Sequence, residues 1–430
     1  MKILRLLLAL CIVFFLDSCR NSFEYFWGGE RIKSGLSDLY NDDTVKEHVK
    51  DEEDRLRVAV LVPLSGQVKA VGESIVNALQ LSLFENNKRN VLLKIYDTKA
   101  TTFGAVEAIN KAIDDGIDVV IGPLFSSETK AIKSILLKND LVAFSLSNDQ
   151  ELMNTSNVFV TGSIPEQEIQ ILISYMMEND FRNFVALMPN TTHGALMNKI
   201  LRSTILNKDG LLIKTEYYEP NDKTLMTKIS DLSNFYEVPQ TLYENYEKQK
   251  LEQKLLGSGD EPEFIITEEE KIYPQVLFIP DGGKIAEQIA NFLFINQKND
   301  RFIQLIGTTK LDGDDSIMVN PYMNNVVFVG ANPDKYKKFS DSYERIYKVK
   351  PLKITSMVYD LVNIVDSVFE NVDGKYLPNK RALLHPEGFD GIDGKFRFLP
   401  NGLVERRMYI LQFQDKQKVV VGTNQEFLNY

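Results

Sequence analysis

Cysteine is nearly absent from this sequence: of 430 residues only Cys11 and Cys19 carry a thiol, and both precede residue 20. The rest of the chain can form no internal disulfide and no thiolate metal site. Histidine is scarce as well. His48, His193 and His385 stand far apart without ligand spacing, so no metal site is expected. Positive charge is in deficit, with 49 Lys and Arg against 60 Asp and Glu and a formal charge of −11. That balance opposes the counterion release that drives nucleic-acid binding, and neither DNA nor RNA is an expected partner. The glycine-rich nucleotide cradles G-x-x-x-x-G-K-[ST] and G-x-G-x-x-G and the G-x-S-x-G nucleophile elbow do not occur. Ser127 to Lys130 matches S-x-x-K but lacks the companion K-T-G, and Ser127 reads as a helix cap. Asp312 to Asp315 is followed by no twelfth-position glutamate and reads as a turn rather than a calcium loop. The expectation is a non-enzyme with no cofactor and no catalytic residue.

What is present begins with a short apolar run, Leu6 to Leu16, preceded by Lys2 and Arg5. As a helix its eleven residues reach ~16 Å, well under the ~30 Å of a bilayer's hydrocarbon core, so a cleaved export signal is expected rather than a spanning helix. The ending Leu16-Asp17-Ser18-Cys19 resembles the bacterial lipoprotein lipobox. That resemblance implies a signal peptide at 1–18, cleavage before Cys19 and acyl chains on Cys19, which anchor durably when more than one chain is attached. Arg20 after the cysteine, rather than aspartate, points to the outer membrane of a Gram-negative cell. Residues 20–55 carry six basic and ten acidic side chains with little apolar periodicity, so 19–55 is expected to be the acylated cysteine and a solvated acidic tether.

From Arg57 onward, short β-rich runs alternate with amphipathic stretches, the pattern of βαβ units around parallel sheets. Strands are expected at 58–62, 91–96, 118–121 and 141–144, with helices at 73–85, 103–115 and 127–138. A second set follows: helix 165–178, strand 184–187, helix 193–207, strand 211–216, strand 276–279, helix 284–294 and strand 302–306. With 430 residues exceeding what one core ordinarily holds, two lobes are expected. Residues 238–273 break the rhythm with a charged helical insertion.

Pro63-Leu64-Ser65-Gly66, Tyr96-Asp97-Thr98, Gly122-Pro123-Leu124-Phe125-Ser126 and Phe144-Ser145-Leu146-Ser147-Asn148 succeed one another at expected strand ends. With Pro165-Glu166-Gln167-Glu168, Met188-Pro189-Asn190, His193-Gly194 and Tyr359-Asp360, their order resembles the type I periplasmic binding proteins, the leucine/isoleucine/valine-binding superfamily. The resemblance implies an α/β fold of two Rossmann-like lobes with parallel sheets joined by a multi-strand hinge. It implies lobe 1 from 56–162 plus 333–385, and lobe 2 from 163–332 plus 386–430, including Lys395 to Phe398. Carried over by motif, Ser126, Ser147, Asn148 and His193 are the ligand-cleft candidates, for a small amino-acid-like ligand. The acidic position that would meet an ammonium falls near Thr308 to Asp312 without a match. Together with the lipobox and the charged insertion, the motifs resemble most the lipoprotein activators of penicillin-binding proteins. The function this implies is a periplasmic regulator that docks on a peptidoglycan synthase; the alternative is the solute receptor of an ABC importer for branched-chain amino acids or amides. Cys19→Ser is expected to shift the protein from the membrane to the soluble fraction on cell fractionation, and undiminished membrane retention would refute the lipid anchor.

Overall fold

The computed structural model describes residues 55–423 apart from 89, 155–156, 220–221, 257–261, 297–300 and 314. The expected signal peptide, Cys19 and nearly all of the tether lie outside the described residues.

Strand β1 (Leu56–Val62) is buried along its whole length except at Arg57, as a parallel strand covered on both faces must be. It leads through α1 (Lys69–Glu85), β2 (Val91–Asp97), α2 (Thr102–Asp114), β3 (Val119–Ile121), α3 (Ser126–Lys138), β4 (Val142–Ser145) and β5 (Val158–Val160). These strands form a five-stranded, all-parallel sheet in the order β2-β1-β3-β4-β5. One face is covered by α1 and the other by α2 and α3, with Ile75, Leu79, Ile109 and Ile132 fully buried.

The chain then crosses into α4 (Pro165–Glu178), β6 (Asn183–Pro189), α5 (Thr192–Leu206), β7 (Leu211–Tyr218), α6 (Leu225–Asn234), α7 (Gln240–Leu255), β8 (Val276–Ile279), α8 (Gly283–Asn296), β9 (Gln304–Gly307) and β10 (Val327–Gly330). Pro165 opens α4 at a position where its missing N–H costs nothing. After β10 the chain returns to the first sheet as α9 (Pro333–Tyr347) and α10 (Ile354–Val368), then the hairpin β11 (Phe369–Val372) and β12 (Lys375–Pro378), α11 (Lys380–Leu383), and the antiparallel β13 (Phe389–Gly391), β14 (Gly394–Phe398) and β15 (Val404–Arg406). It crosses a last time into β16 (Tyr409–Gln414) and β17 (Gln417–Thr423). The second sheet has the order β17-β16-β10-β9-β8-β6-β7, parallel from β10 to β7 with an antiparallel hairpin at one edge.

Each half uses glycine where a helix start passes a carbonyl at or just beyond a strand's end. A Cβ at Gly72 in α1 would sit 1.8 Å from the Pro63 carbonyl oxygen, and one at Gly194 in α5 would sit 1.9 Å from that of Pro189. Neither position admits a side chain without moving backbone.

The third crossing departs from expectation. Phe396 and Phe398 were expected in the second lobe, but they pack into the first: Phe398 lies 5.5 Å from Phe144 and 5.4 Å from Phe159, centroid to centroid. The reason is pairing of the incoming loop with β5, where the Val160 N–H donates to the Gly402 carbonyl at 2.7 Å. The chain therefore leaves the first lobe after Arg406 rather than after residue 385. Met408 and Ile410 lie in the core of the second.

In the insertion, α7 buries none of its residues, and Leu251, Leu255 and Leu256 are exposed. The backbones of Glu237 and Ile272 pair at its base, each N–H donating at 2.9 Å. Phe398→Ala is expected to cost ~3–5 kcal/mol by chemical denaturation, because four aromatic rings surround the cavity it would leave. A loss under ~1 kcal/mol would place this strand outside the core.

Candidate functional site: the cleft between the two sheets

Helix N-termini and strand ends of both sheets meet at one cavity of about 490 Å³. The loop after β3 leads into α3, where the Phe125 N–H donates to Glu128 Oε2 at 3.1 Å, so the first turn is capped by Glu128 and Ser127 lies inside the helix. The loop after β4 supplies Leu146 to Asp149. In the second half, Thr191 caps α5 by accepting the Gly194 N–H at 3.1 Å, which sets His193 on the cavity wall. Thr308 to Lys310 follow β9, and Lys353, Asp393 and Arg406 come from the returning segment.

All four sequence candidates line this cavity: Ser126, Ser147, Asn148 and His193. Ser147 is buried, and its Oγ accepts the Asp149 N–H at 3.0 Å. Ser126 and His193 are half-buried and Asn148 is exposed. Burial holds the His193 imidazole below its usual pKa, and the Lys310 ammonium, 3.4 Å from Nε2, pushes the same way.

Crevices beyond the carboxyl ends of parallel strands are where open α/β sheets bind ligands. Among solved structures, a branched-chain amino acid ABC transporter protein of Rhodospirillum rubrum superimposes with a TM-score of 0.68 at 17% identity, over 85% of this chain and 100% of that one. A solute-binding protein of R. palustris in complex with benzoate gives 0.57 at 17% identity, over 87% and 98%. This is the type I periplasmic binding protein fold. Residues 55–231 match the family model described as periplasmic binding protein. A Leu/Ile/Val-binding protein of Rhizobium johnstonii is 25% identical over 179 residues, 39% of this chain and 48% of that protein. An uncharacterized protein of Rickettsia prowazekii is 23% identical over 196 residues, 46% and 52% of the two chains. The penicillin-binding protein activator LpoA of Histophilus somni is 25% identical over 139 residues, 32% of this chain and 23% of LpoA. The chain thus spans about half the length of the first two relatives and a quarter of the third.

Within this fold the charged residues of the cleft come mostly from places that the motifs did not mark. Glu168 is buried; its carboxylate accepts from Ser163 Oγ at 2.6 Å and from Thr309 Oγ1 at 2.9 Å and N–H at 3.1 Å. Burial pushes its carboxyl up, against the pull of those three donors. It was read only as part of the helix-opening motif, whereas it is an acid on the cavity wall beside Thr309.

Lys353, just before α10 in the first half, lies 2.8 Å from Asp312 in the second half and 3.3 Å from Asp393 in the first. Asp312 also takes Lys418 at 2.9 Å and the Ala331 N–H at 2.9 Å. Burial alone would raise the Asp312 carboxyl, but the Lys353 and Lys418 ammoniums outweigh it and hold it at about 2. Both oxygens are engaged, so Asp312, which does lie in a turn, is also an ionic tie between the halves. Among the described residues no three or more His, Cys, Asp and Glu side chains are grouped to hold a metal.

A carboxyl depressed in the fold stabilises it above the pKa of the unfolded chain, near 3.9, and that stability is lost as pH falls toward 2. The parent is expected to lose ~2 kcal/mol more than Asp312→Asn between pH ~4 and ~2 in paired denaturation series. Parallel acid limbs would remove Asp312 as a source of acid sensitivity.

Proposed function

We propose that the protein is a non-catalytic, lipid-anchored periplasmic receptor whose cleft takes a small solute. The observation that carries this reading is the cavity itself: about 490 Å³, bounded by strand ends of both sheets, lined by apolar side chains with a few hydroxyls and charges. Volumes of ~300–1,000 Å³ with that mixed lining are typical of small-molecule sites. The match to a periplasmic binding protein model and the likeness to solute-binding structures support the same reading and a periplasmic location. Ser126, Ser147, Asn148 and His193 are proposed as ligand contacts, with Cys19 carrying the lipid.

A second reading, regulation of a peptidoglycan synthase as a penicillin-binding protein activator, is favoured by the likeness to LpoA. The exposed leucines of α7 offer a contact surface on the insertion for such a partner. The two readings part on ligand response. If the receptor reading holds, a panel of amino acids, amides and organic acids is expected to include a compound that raises the thermal midpoint, with stabilisation of ~2.7 kcal/mol at a hundredfold excess over Kd. A flat response across the panel, with crosslinking to a bifunctional synthase that disappears on deletion of 238–273, would replace it with the regulator.

A further inference from the structure

The chain carries a formal charge of −11, yet between Pro333 and Lys353 seven basic side chains stand against three acidic ones. The excess gathers where α9 ends. Lys348, in the left-handed conformation at φ 62°, closes α9 by donating its N–H to the Glu344 carbonyl at 2.9 Å. Residues 348–353 then lead to α10 without an acid among them. Two of them hold this connection to the body: Pro351 is buried, and Lys353 turns back to Asp312 and Asp393. On the outside, Ile346, Val349 and Leu352 are 44%, 56% and 42% exposed, and the exposed Arg345, Lys348 and Lys350 alternate with them.

These cations are largely unspent within the chain. Lys348 Nζ donates to the Arg345 carbonyl at 2.6 Å, and Arg345 reaches Glu85 only at 3.9 Å with most of its side chain in solvent. Among the described residues Lys350 meets no carboxylate, nor does Lys338, which lies seven residues before Arg345 on the same face of α9. Lys335 and Lys337, by contrast, are paired with Asp390 and Asp341. Basic side chains at a helix C-terminus complement its dipole, which accounts for Arg345 and Lys348. It accounts neither for Lys350 beyond the helix nor for the aliphatic side chains set between the cations.

A bilayer surface uses both kinds of side chain at once. Aliphatic groups enter the interface while ammoniums on long stems stay level with the phosphates, and each cation adds attraction where the lipids are anionic. A protein partner of ordinary size would call for ~800 Å² on each side and a buried aromatic or arginine anchor. The nearby rings offer none, since Tyr343 is buried and Tyr347 Oη donates to the Asn77 carbonyl at 2.8 Å.

We propose that the turn from α9 to α10 docks on an anionic phospholipid surface. Ile346, Val349 and Leu352 enter at headgroup level, and Arg345, Lys348 and Lys350 meet lipid phosphates. None of these six residues lines the cavity, so the docking is independent of what the cleft takes. It is equally independent of acylation at Cys19.

The test follows a single tryptophan on the full-length chain, with the native one removed as Trp27→Phe. Val349→Trp is compared with Leu206→Trp, an exposed position at the end of α5 in the second half, on vesicles containing nitroxide-labelled lipid. With phosphatidylethanolamine and phosphatidylglycerol, the Val349→Trp emission is expected to be quenched and the Leu206→Trp emission to keep its vesicle-free value. Phosphatidylcholine in place of phosphatidylglycerol is expected to abolish the quenching, and adding Lys348→Gln and Lys350→Gln to weaken the attachment about thirtyfold. Equal quenching of both reporters shows only that the chain is held near the bilayer and overturns the assignment. Quenching indifferent to lipid charge or to the two lysines overturns it too. So does an unquenched Val349→Trp; if sedimentation then shows self-association that Lys348→Gln and Lys350→Gln abolish, the surface belongs to a second copy of the chain.

Discussion

The geometry of the cleft depends on one buried amide. Gln167, 3% exposed in the first turn of α4, donates from Nε2 to the Val404 carbonyl at 2.7 Å and accepts the Arg406 N–H at 3.1 Å. A side chain thereby takes the place of a neighbouring strand along this edge of β15. Without it, a backbone donor and acceptor would be buried unpaired at the crossing, each costing ~1–3 kcal/mol. The first and third crossings are consequently fastened to each other, and Arg406 is fixed in place beside the cavity. Thr161 adds to the same seam, its Oγ1 donating to the Ser145 carbonyl at 2.8 Å.

Around that seam the fold solves the same problem twice. A parallel sheet must be covered on both faces, and each half does so with helices whose first turns crowd the strand ends, at Gly72 in one and Gly194 in the other. Crowding brings helix N-termini and loop amides to the edge where the two sheets meet, so the cavity follows from the architecture rather than from a separate insertion. What the architecture does not dictate is its charge. That is set by the returning segment, which contributes Lys353, Asp393 and Arg406.

This division explains what could be read in advance. The strands from β1 to β4 and the helices α2 to α5 announce themselves because each is a local pattern: a continuous apolar run or a helical stripe of the right length. Ser126, Ser147, Asn148 and His193 came instead from the resemblance of their loops to those of the type I periplasmic binding proteins, not from periodicity. The helix α1 begins at Lys69 rather than at Glu73, and the three-residue β5 and β15 were not legible. In β15 two of three residues are charged, yet Glu405 is 1% and Arg406 5% exposed. Their burial is set by Arg397, 2.6 Å from Glu405, and by Gln167, partners that no local periodicity reveals. The placement of Phe398 in the first lobe failed to show for the same reason, being decided by pairing with β5.

The tie between Asp312 and Lys353 bears on how such a cleft is entered. Buried ion pairs contribute little net stability against well-packed apolar replacements, because desolvation offsets most of the attraction. What this pair does contribute is position: Asp312 belongs to the second half and Lys353 to the first, so any opening of the cleft must separate them. Separation into water restores hydration to both charges, which keeps its cost well below the ~3–5 kcal/mol of stranding one of them in the interior. Lys353 also keeps Asp393 at 3.3 Å whichever way the second half moves, since both belong to the first. The tie therefore holds the two halves in the geometry seen here at little net cost, and its contribution is to their relative position rather than to stability.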